Sequence, residues 1–526
     1  MRKHEGIKDK EGFISRLFKG VKAYIQDKIV AINFRHANLY YNRANRHYEK
    51  GKIKEAIKDY TQAIKINLNH ATAYYNRGNV YYDQGEIERA IKDYTRVIEI
   101  NPNFVHAYYN RGTIHYHEGE IEKAIKDYTR AIEINPNDAM TYNNRGIAYH
   151  EEGKIEEAIE DYTKATELDP NHAKAYYNRG LVHYKEGKIE EAIEDYTRAI
   201  ELDPNYMRAY YNRGLVHYKE GKIEEAIEDY TKATQIDPND ASTYYNRGIS
   251  YYDEGKIEEA IKDYTKAIKI DPNHARAYFN RGNAYEKQGK FDQAIMDYSR
   301  AAEIDCSDAS AYYNRGIAYY KKGEMEEAII DYTKVIEIDP NYAEVYHNRG
   351  NVYYEQGKID EAIKDYTRAI ETDANDLRTY YNRGIAHIQQ GEIEKAIKDY
   401  TRVIQINPKY IDAYLSRGNA YGIQGKAEEA IKDYTKVIEI EPNNSEVYCN
   451  RGIIHYRRGE MQETIKYCTR AIEIEANNAN AYYNRGNAYY KLEKMEEAIK
   501  DYTKTIEIEA NNANAYYNRG NAYDKL

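Results

Sequence analysis

The residues with the most chemical potential in this 526-residue chain recur in a fixed rhythm. An arginine returns every 34 residues, from Arg43 and Arg77 to Arg519, and an aspartate follows sixteen residues later at Asp59, Asp93 and on to Asp501, Tyr467 being the exception. A guanidinium and a carboxylate at constant spacing predict a repeated ion pair, because partly buried charges need partners. The competing reading is an open arginine ladder for ligands. Most of these arginines follow a Tyr-Asn pair, such as Tyr75 and Asn76 or Tyr109 and Asn110. An asparagine row can hydrogen-bond both edges of an extended peptide, and tyrosine adds contact area at low entropy cost. Packing of the same tyrosines on a neighbouring helix is the alternative.

A sharper signal lies in residues 175–197 and 209–231, which are identical and so present one surface twice. The candidate peptide-binding residues are Lys174, Tyr177, Asn178, Leu181 and Lys185, repeated as Arg208, Tyr211, Asn212, Leu215 and Lys219. Arg276, Lys287 and Lys321 extend the strip. A basic, partly apolar strip suits a partner segment carrying acidic and hydrophobic side chains. A solvated mixture of charges is the bland alternative.

Other chemistry is missing from the sequence. No phosphate-binding Gly-x-x-x-x-Gly-Lys-Ser/Thr, Gly-x-Ser-x-Gly or His-Glu-x-x-His motif occurs, and the carboxylates fall at positions such as Glu86 and Glu88 where helix surfaces carry them. The six histidines His47, His115, His183, His217, His387 and His455 alternate with aromatic residues at one position of the period, which reads as packing rather than metal ligation. His106, His115 and His117 lack a helical ligand spacing. Cys306, Cys449 and Cys468 form neither a disulfide framework nor a Cys-x-x-Cys pair, which fits a reducing, cytoplasmic setting. No catalytic residue, cofactor or metal is expected. A formal net charge of -10 disfavours nucleic acid, whose binding rests on neutralised phosphates.

The elements that position these groups follow from the period. Numbering positions 1 to 34 from Ala71, fourteen complete units fill 37–512 and a half unit fills 513–526. In 71–104, apolar spacing predicts a first helix from about Thr72 to Gln84 and a second from about Ile87 to Ile100. Gly85 makes the turn between them, and all nine prolines, Pro102 among them, fall at position 32 and stop a helix. Gly78 and Ala90 are small where the helices approach; Tyr74, Tyr81 and Tyr94 fill the space around them. One hairpin cannot bury its apolar face alone, so the units must stack.

A period of 34 with an aromatic, Gly, Tyr, Ala, aromatic and Pro at these positions resembles the tetratricopeptide repeat, TPR, over 37–526. Two features depart from the family pattern: its usual Trp is Tyr from Tyr40 to Tyr516, and its frequent Leu is Arg from Arg43 to Arg519. The resemblance implies an all-α solenoid, a right-handed superhelix whose concave face is built from first helices. Its implied role is a non-enzymatic scaffold or adaptor binding partner proteins or peptides in that groove. Two alternatives are the substrate-recruiting arm of a larger enzyme, such as a glycosyltransferase, and an assembly or co-chaperone factor. The carboxylate clamp of chaperone-binding relatives is not expected: Asn79 and Asn110 are present, but the clamp's Lys at position 5 and Arg at position 6 occur in no unit. An RNA-reading helical repeat would need a 35-residue unit and a basic groove.

The two ends stand apart. Residues 1–36 hold nine Lys or Arg against four Asp or Glu, so the remainder carries -15. Phe13, Leu17, Val21, Tyr24 and Ile25 share a helical face with Arg16, Lys19 and Lys22 opposite. This basic amphipathic segment is expected to pack as a cap on the first unit, with a peripheral hold on anionic membrane as the alternative. At the far end, Tyr516, Tyr517, Gly520 and Tyr523 keep the pattern of an interior repeat, which points to a fragment or to end-to-end self-association through 513–526.

Overall fold

Regular helix-forming runs broken by one glycine and one inter-repeat loop per period give what the sequence implies. The computed structural model describes the backbone from Glu5 and side chains from residue 15 to Leu526. Twenty-nine helices, and no strand, are present among the described residues. The chain divides into two units, Met1–Asp263 and Tyr264–Leu526, and each is an array of stacked antiparallel helical hairpins.

Four helices show the plan: α1 (Glu5–Glu49), α2 (Ile53–Ile66), α3 (Ala71–Asp83) and α4 (Ile87–Ile100). The glycine between α3 and α4, Gly85, has φ +73°, a backbone conformation that costs a residue with a Cβ. Thirteen glycines share this conformation one period apart; in 479–512 Glu493 takes it instead, at φ +58°. Within the hairpin, a Cβ on Gly78 would lie 2.9 Å from Tyr94 Cε1, so the helices are as close as glycine allows. Tyr94 is 1 % exposed. Between hairpins, Ala73 and Val80 pack into one apolar cluster with Tyr60 and Ala63 of the preceding repeat. Burial of such a ring is worth roughly 1.5–3 kcal/mol, and it is repeated in nearly every unit.

α1 is a single helix that runs on from the first repeat, and every side chain from 15 to 36 is exposed before Ala37 is buried. Nothing between 15 and 36 folds back, because the sequence there has no Gly-Pro or Asn-Gly break that would turn a helix. The apolar face is present at Leu17, Val21, Tyr24 and Ile25, all exposed. Phe13, also placed on it by sequence, has a side chain outside the described residues. At the other end Tyr516, Tyr517 and Tyr523 are exposed.

Candidate functional site

The Arg–Asp spacing is met by closed ion pairs, so the open-ladder alternative is excluded. Thirteen pairs among the described residues have N···O distances of 2.5–2.8 Å. Arg77 is typical: its Nε and Nη2 donate to Asp93 Oδ2 and Oδ1, both at 2.8 Å, a two-pronged bond that fixes first helix to second. Its remaining nitrogen, Nη1, donates to Thr61 Oγ1 of the preceding repeat at 2.9 Å. Twelve of the thirteen paired arginines, Arg43 excepted, close their own hairpin and tie it in the same way to a Thr, or at Arg315 to Ser299, of the one before. Burial works against the Arg77 charge, and Asp93 more than offsets it, holding the guanidinium above its ordinary value. At Asp161 burial dominates and moves the carboxyl upward despite Arg145.

The Tyr–Asn row is also spent on stacking. Asn110 Nδ2 donates to Tyr75 OH at 3.2 Å and to Asn79 Oδ1 at 3.1 Å, both in the preceding repeat. Tyr94 OH donates to the same Asn79 Oδ1 at 2.7 Å. Related bonds recur at Asn76, Asn144, Asn212 and Asn246, spaced 35 residues from their tyrosines. The constant separations of 31 and 35 residues are the sequence signal that could have revealed this ladder: one period minus three or plus one places the two side chains on facing helices.

The residues expected to bind peptide divide accordingly. Tyr177 is buried against Tyr206, with ring centroids 4.9 Å apart, and its OH accepts from Asn212 at 3.0 Å. Burial moves its phenol upward, and that of Tyr211 likewise. Tyr211 OH accepts from Asn246 at 2.8 Å, and Asn178 donates to Asn143 at 3.0 Å. Leu181 and Leu215 are half-buried. What remains on the surface is cationic: Lys174, Lys185, Arg208 and Lys219 are all exposed. Lys185 Nζ donates to His150 Nε2 at 3.0 Å, whereas Lys219 Nζ lies 5.3 Å from the centre of the Tyr184 ring. Of the expected extension, Arg276 is exposed, but Lys321 is paired with Glu286 at 2.8 Å.

The histidines sit beside the ion pairs. His387 Nδ1 donates to Glu392 at 2.8 Å, and its Nε2 lies 3.8 Å from Asp399. Burial holds the imidazoles of His387 and His217 below their ordinary value. Among the described residues no group of three His, Cys, Asp or Glu is arranged to hold a metal. Two features had no precedent in the sequence reading. A cavity of about 240 Å³ opens on the first-helix face between Tyr320, Asn351, Tyr354, Glu355, Asn382 and Ile385. The other is the replacement for the missing aspartate that the sequence marks at Tyr467: Arg451 lies 4.3 Å from the centre of the Tyr467 ring.

This set of side chains, repeated at constant phase on paired helices, matches known proteins by sequence as well. A family profile described as TPR repeat matches residues 44–85, 418–459 and 486–526 and, in overlapping hits, 148–391. Profiles described as tetratricopeptide repeat match 71–104, 105–138, 377–410 and 445–478, and also 127–160, 399–432 and 467–500. The chain belongs to the tetratricopeptide repeat family. No curated protein matches it. Among solved structures, the TPR protein YrrB, described as having an unusual peptide-binding site, is 27 % identical over 36 % of this chain and 97 % of its own, with a TM-score of 0.34. MamA is 31 % identical over 32 % of this chain and 93 % of its own, with a TM-score of 0.31. The C-terminal part of a TPR protein from Cytophaga hutchinsonii is 21 % identical over 46 % and 98 %, with a TM-score of 0.42. Among the described residues no helix of this TPR protein is long and apolar enough to cross a membrane.

Proposed function

We propose that this TPR protein is a non-enzymatic scaffold that holds a segment of a partner protein along the face lined by its first helices. The observation that carries the reading is what the stacking network leaves over. The buried Arg–Asp pairs and the Tyr–Asn ladder occupy their polar groups internally, while Lys174, Lys185, Arg208 and Lys219 stay exposed beside half-buried Leu181 and Leu215. Two adjacent repeats thus each offer two cations and a leucine at the same positions, one period apart. An extended segment with acidic and hydrophobic side chains fits that alternation. Tyr177 and Tyr211 support the shelf from beneath rather than meeting the segment directly.

The test is binding of a fluorescent peptide of alternating Glu and Leu, measured by anisotropy against the intact chain. Reversing Lys185 and Lys219 together to Glu is expected to weaken binding about tenfold or more and to flatten its salt dependence. Affinity unchanged by that double reversal overturns the reading, as does equal affinity for a peptide of alternating Lys and Leu.

A further inference from the structure

Ten of the large hydrophobic side chains that the protein exposes fall within 17–39, on α1. Phe18, Ile25, Ile32 and Leu39 lie at seven-residue steps along one side of this helix, between 51 % and 73 % exposed. With Leu17, Val21, Tyr24 and Ile29 they make a stripe about 140° wide at 3.6 residues per turn. Val30 and Phe34 lie outside it. Around and within the stripe the charge is positive: residues 15–36 hold Arg16, Lys19 and Lys22 beside it and Lys28 and Arg35 in it, against the single acid Asp27.

We propose that the exposed part of α1 docks along an anionic lipid surface. Charge selects the occupant first. The protein is acidic elsewhere and is repelled by an anionic bilayer, whereas this helix brings a cationic border to an apolar stripe, the combination that lies flat at the headgroup boundary. The size of the residues selects it again. Leu39 continues the line by which each later first helix meets its predecessor, and at that position the other repeats carry small or β-branched residues, such as Ala73, Thr141, Ala175 and Val345, each 0 % exposed. Where helix meets helix in this protein, the contact on that line is therefore close and small. Phe18, Ile25, Ile32 and Leu39 are too bulky for the same approach, and a fluid acyl layer accepts them without shape matching. Lys28 and Arg35, which fall within the stripe, have stems long enough to lie on the apolar layer while their charged ends reach the headgroups.

Flotation of the full chain with phosphatidylserine-containing vesicles, beside pure phosphatidylcholine vesicles, tests this. The expected result is binding to the first, little to the second, and release by high salt. Phe18→Glu with Ile25→Glu should abolish binding, and Lys19→Glu with Lys22→Glu should weaken it at least about tenfold. All four positions are exposed, and an unchanged circular dichroism melt establishes that the variants remain folded. No flotation with anionic vesicles, or flotation indifferent to either double variant, overturns the proposal. So does light scattering that shows a dimer, dissolved by the Phe18/Ile25 variant, in a chain that ignores vesicles; that result assigns the face to a second copy.

Discussion

Repeats 71–104 and 445–478 have the same backbone plan and are closed by different means. In the first, Arg77 clasps Asp93 within the hairpin and Thr61 outside it, and Tyr94 plugs the gap over Gly78. In the second, Tyr467 stands where the aspartate belongs and Cys468 where the plug belongs. Arg451 keeps the outer bond, donating to Thr435 at 3.1 Å, but its Nε is buried without a partner. The guanidinium rests on the Tyr467 ring instead, and His455 stacks on that ring at 5.1 Å with planes only 6° apart. Close approach survives the exchange, since a Cβ on Gly452 would lie 2.7 Å from Cys468 Sγ. The difference teaches that small residues and apolar burial make the hairpin, the outer arginine bond links it to its neighbour, and the inner ion pair is one of two ways to close it.

That division can be broken most severely by moving the odd repeat's plug into the ordinary one. Tyr94→Cys removes a fully buried ring without the compensating stack, and we expect a loss of about 3–4 kcal/mol, read as faster amide hydrogen exchange across 71–104. Asp93→Ala leaves Arg77, whose side chain is 14 % exposed, without its counter-charge. The expected loss is about 2–3 kcal/mol, again by local exchange; a change no larger than that at an exposed glutamate would show that the inner pair is dispensable everywhere. In the opposite direction, Tyr467→Asp restores a partner to Arg451 and should slow exchange in 445–478, a gain of about 1 kcal/mol.

Smaller effects sharpen the same contrast. Glu493 bends through a glycine's conformation one repeat beyond the odd unit, so Glu493→Gly should stabilise its hairpin by about 0.5 kcal/mol, measured by urea unfolding. The histidines give a dependence on pH. Burial holds His387 below its usual value of about 6.5, so the unfolded chain takes up its proton more readily than the native one. Its contribution to stability is intact above that value and is lost as pH falls through and below it. His387→Tyr, which installs the residue found there in most other repeats, should reduce the drop in melting temperature on acidification.

The period, the hairpin, the turn glycines and the Arg–Asp pairs were legible in the sequence because each is imposed locally or by a spacing that helices convert directly into contact. The second task of the same arginine, its bond to the previous repeat's threonine, was not, since nothing at Thr61 marks it apart from other helix-surface threonines. The asparagine row was legible as polar and repeated, but its donors turned inward to the neighbouring repeat. Residues 1–36 were legible as basic and amphipathic, but such a pattern states that a face needs cover and does not state what supplies it.

The sequence by itself determined the repeat length, the helical class, the small residues at the crossings and the ion pair, because these depend on one hairpin and its copies. Only the tertiary structure decided what each copy touches. Residues 175–197 and 209–231 are identical, yet Lys185 bonds His150 while Lys219 lies over Tyr184, and Tyr177 is buried beneath Tyr206 while Tyr211 is only half-buried. The reason is that in a stack every side chain on the joining faces is completed by the neighbouring repeat, so equal sequences with unequal neighbours become unequal surfaces.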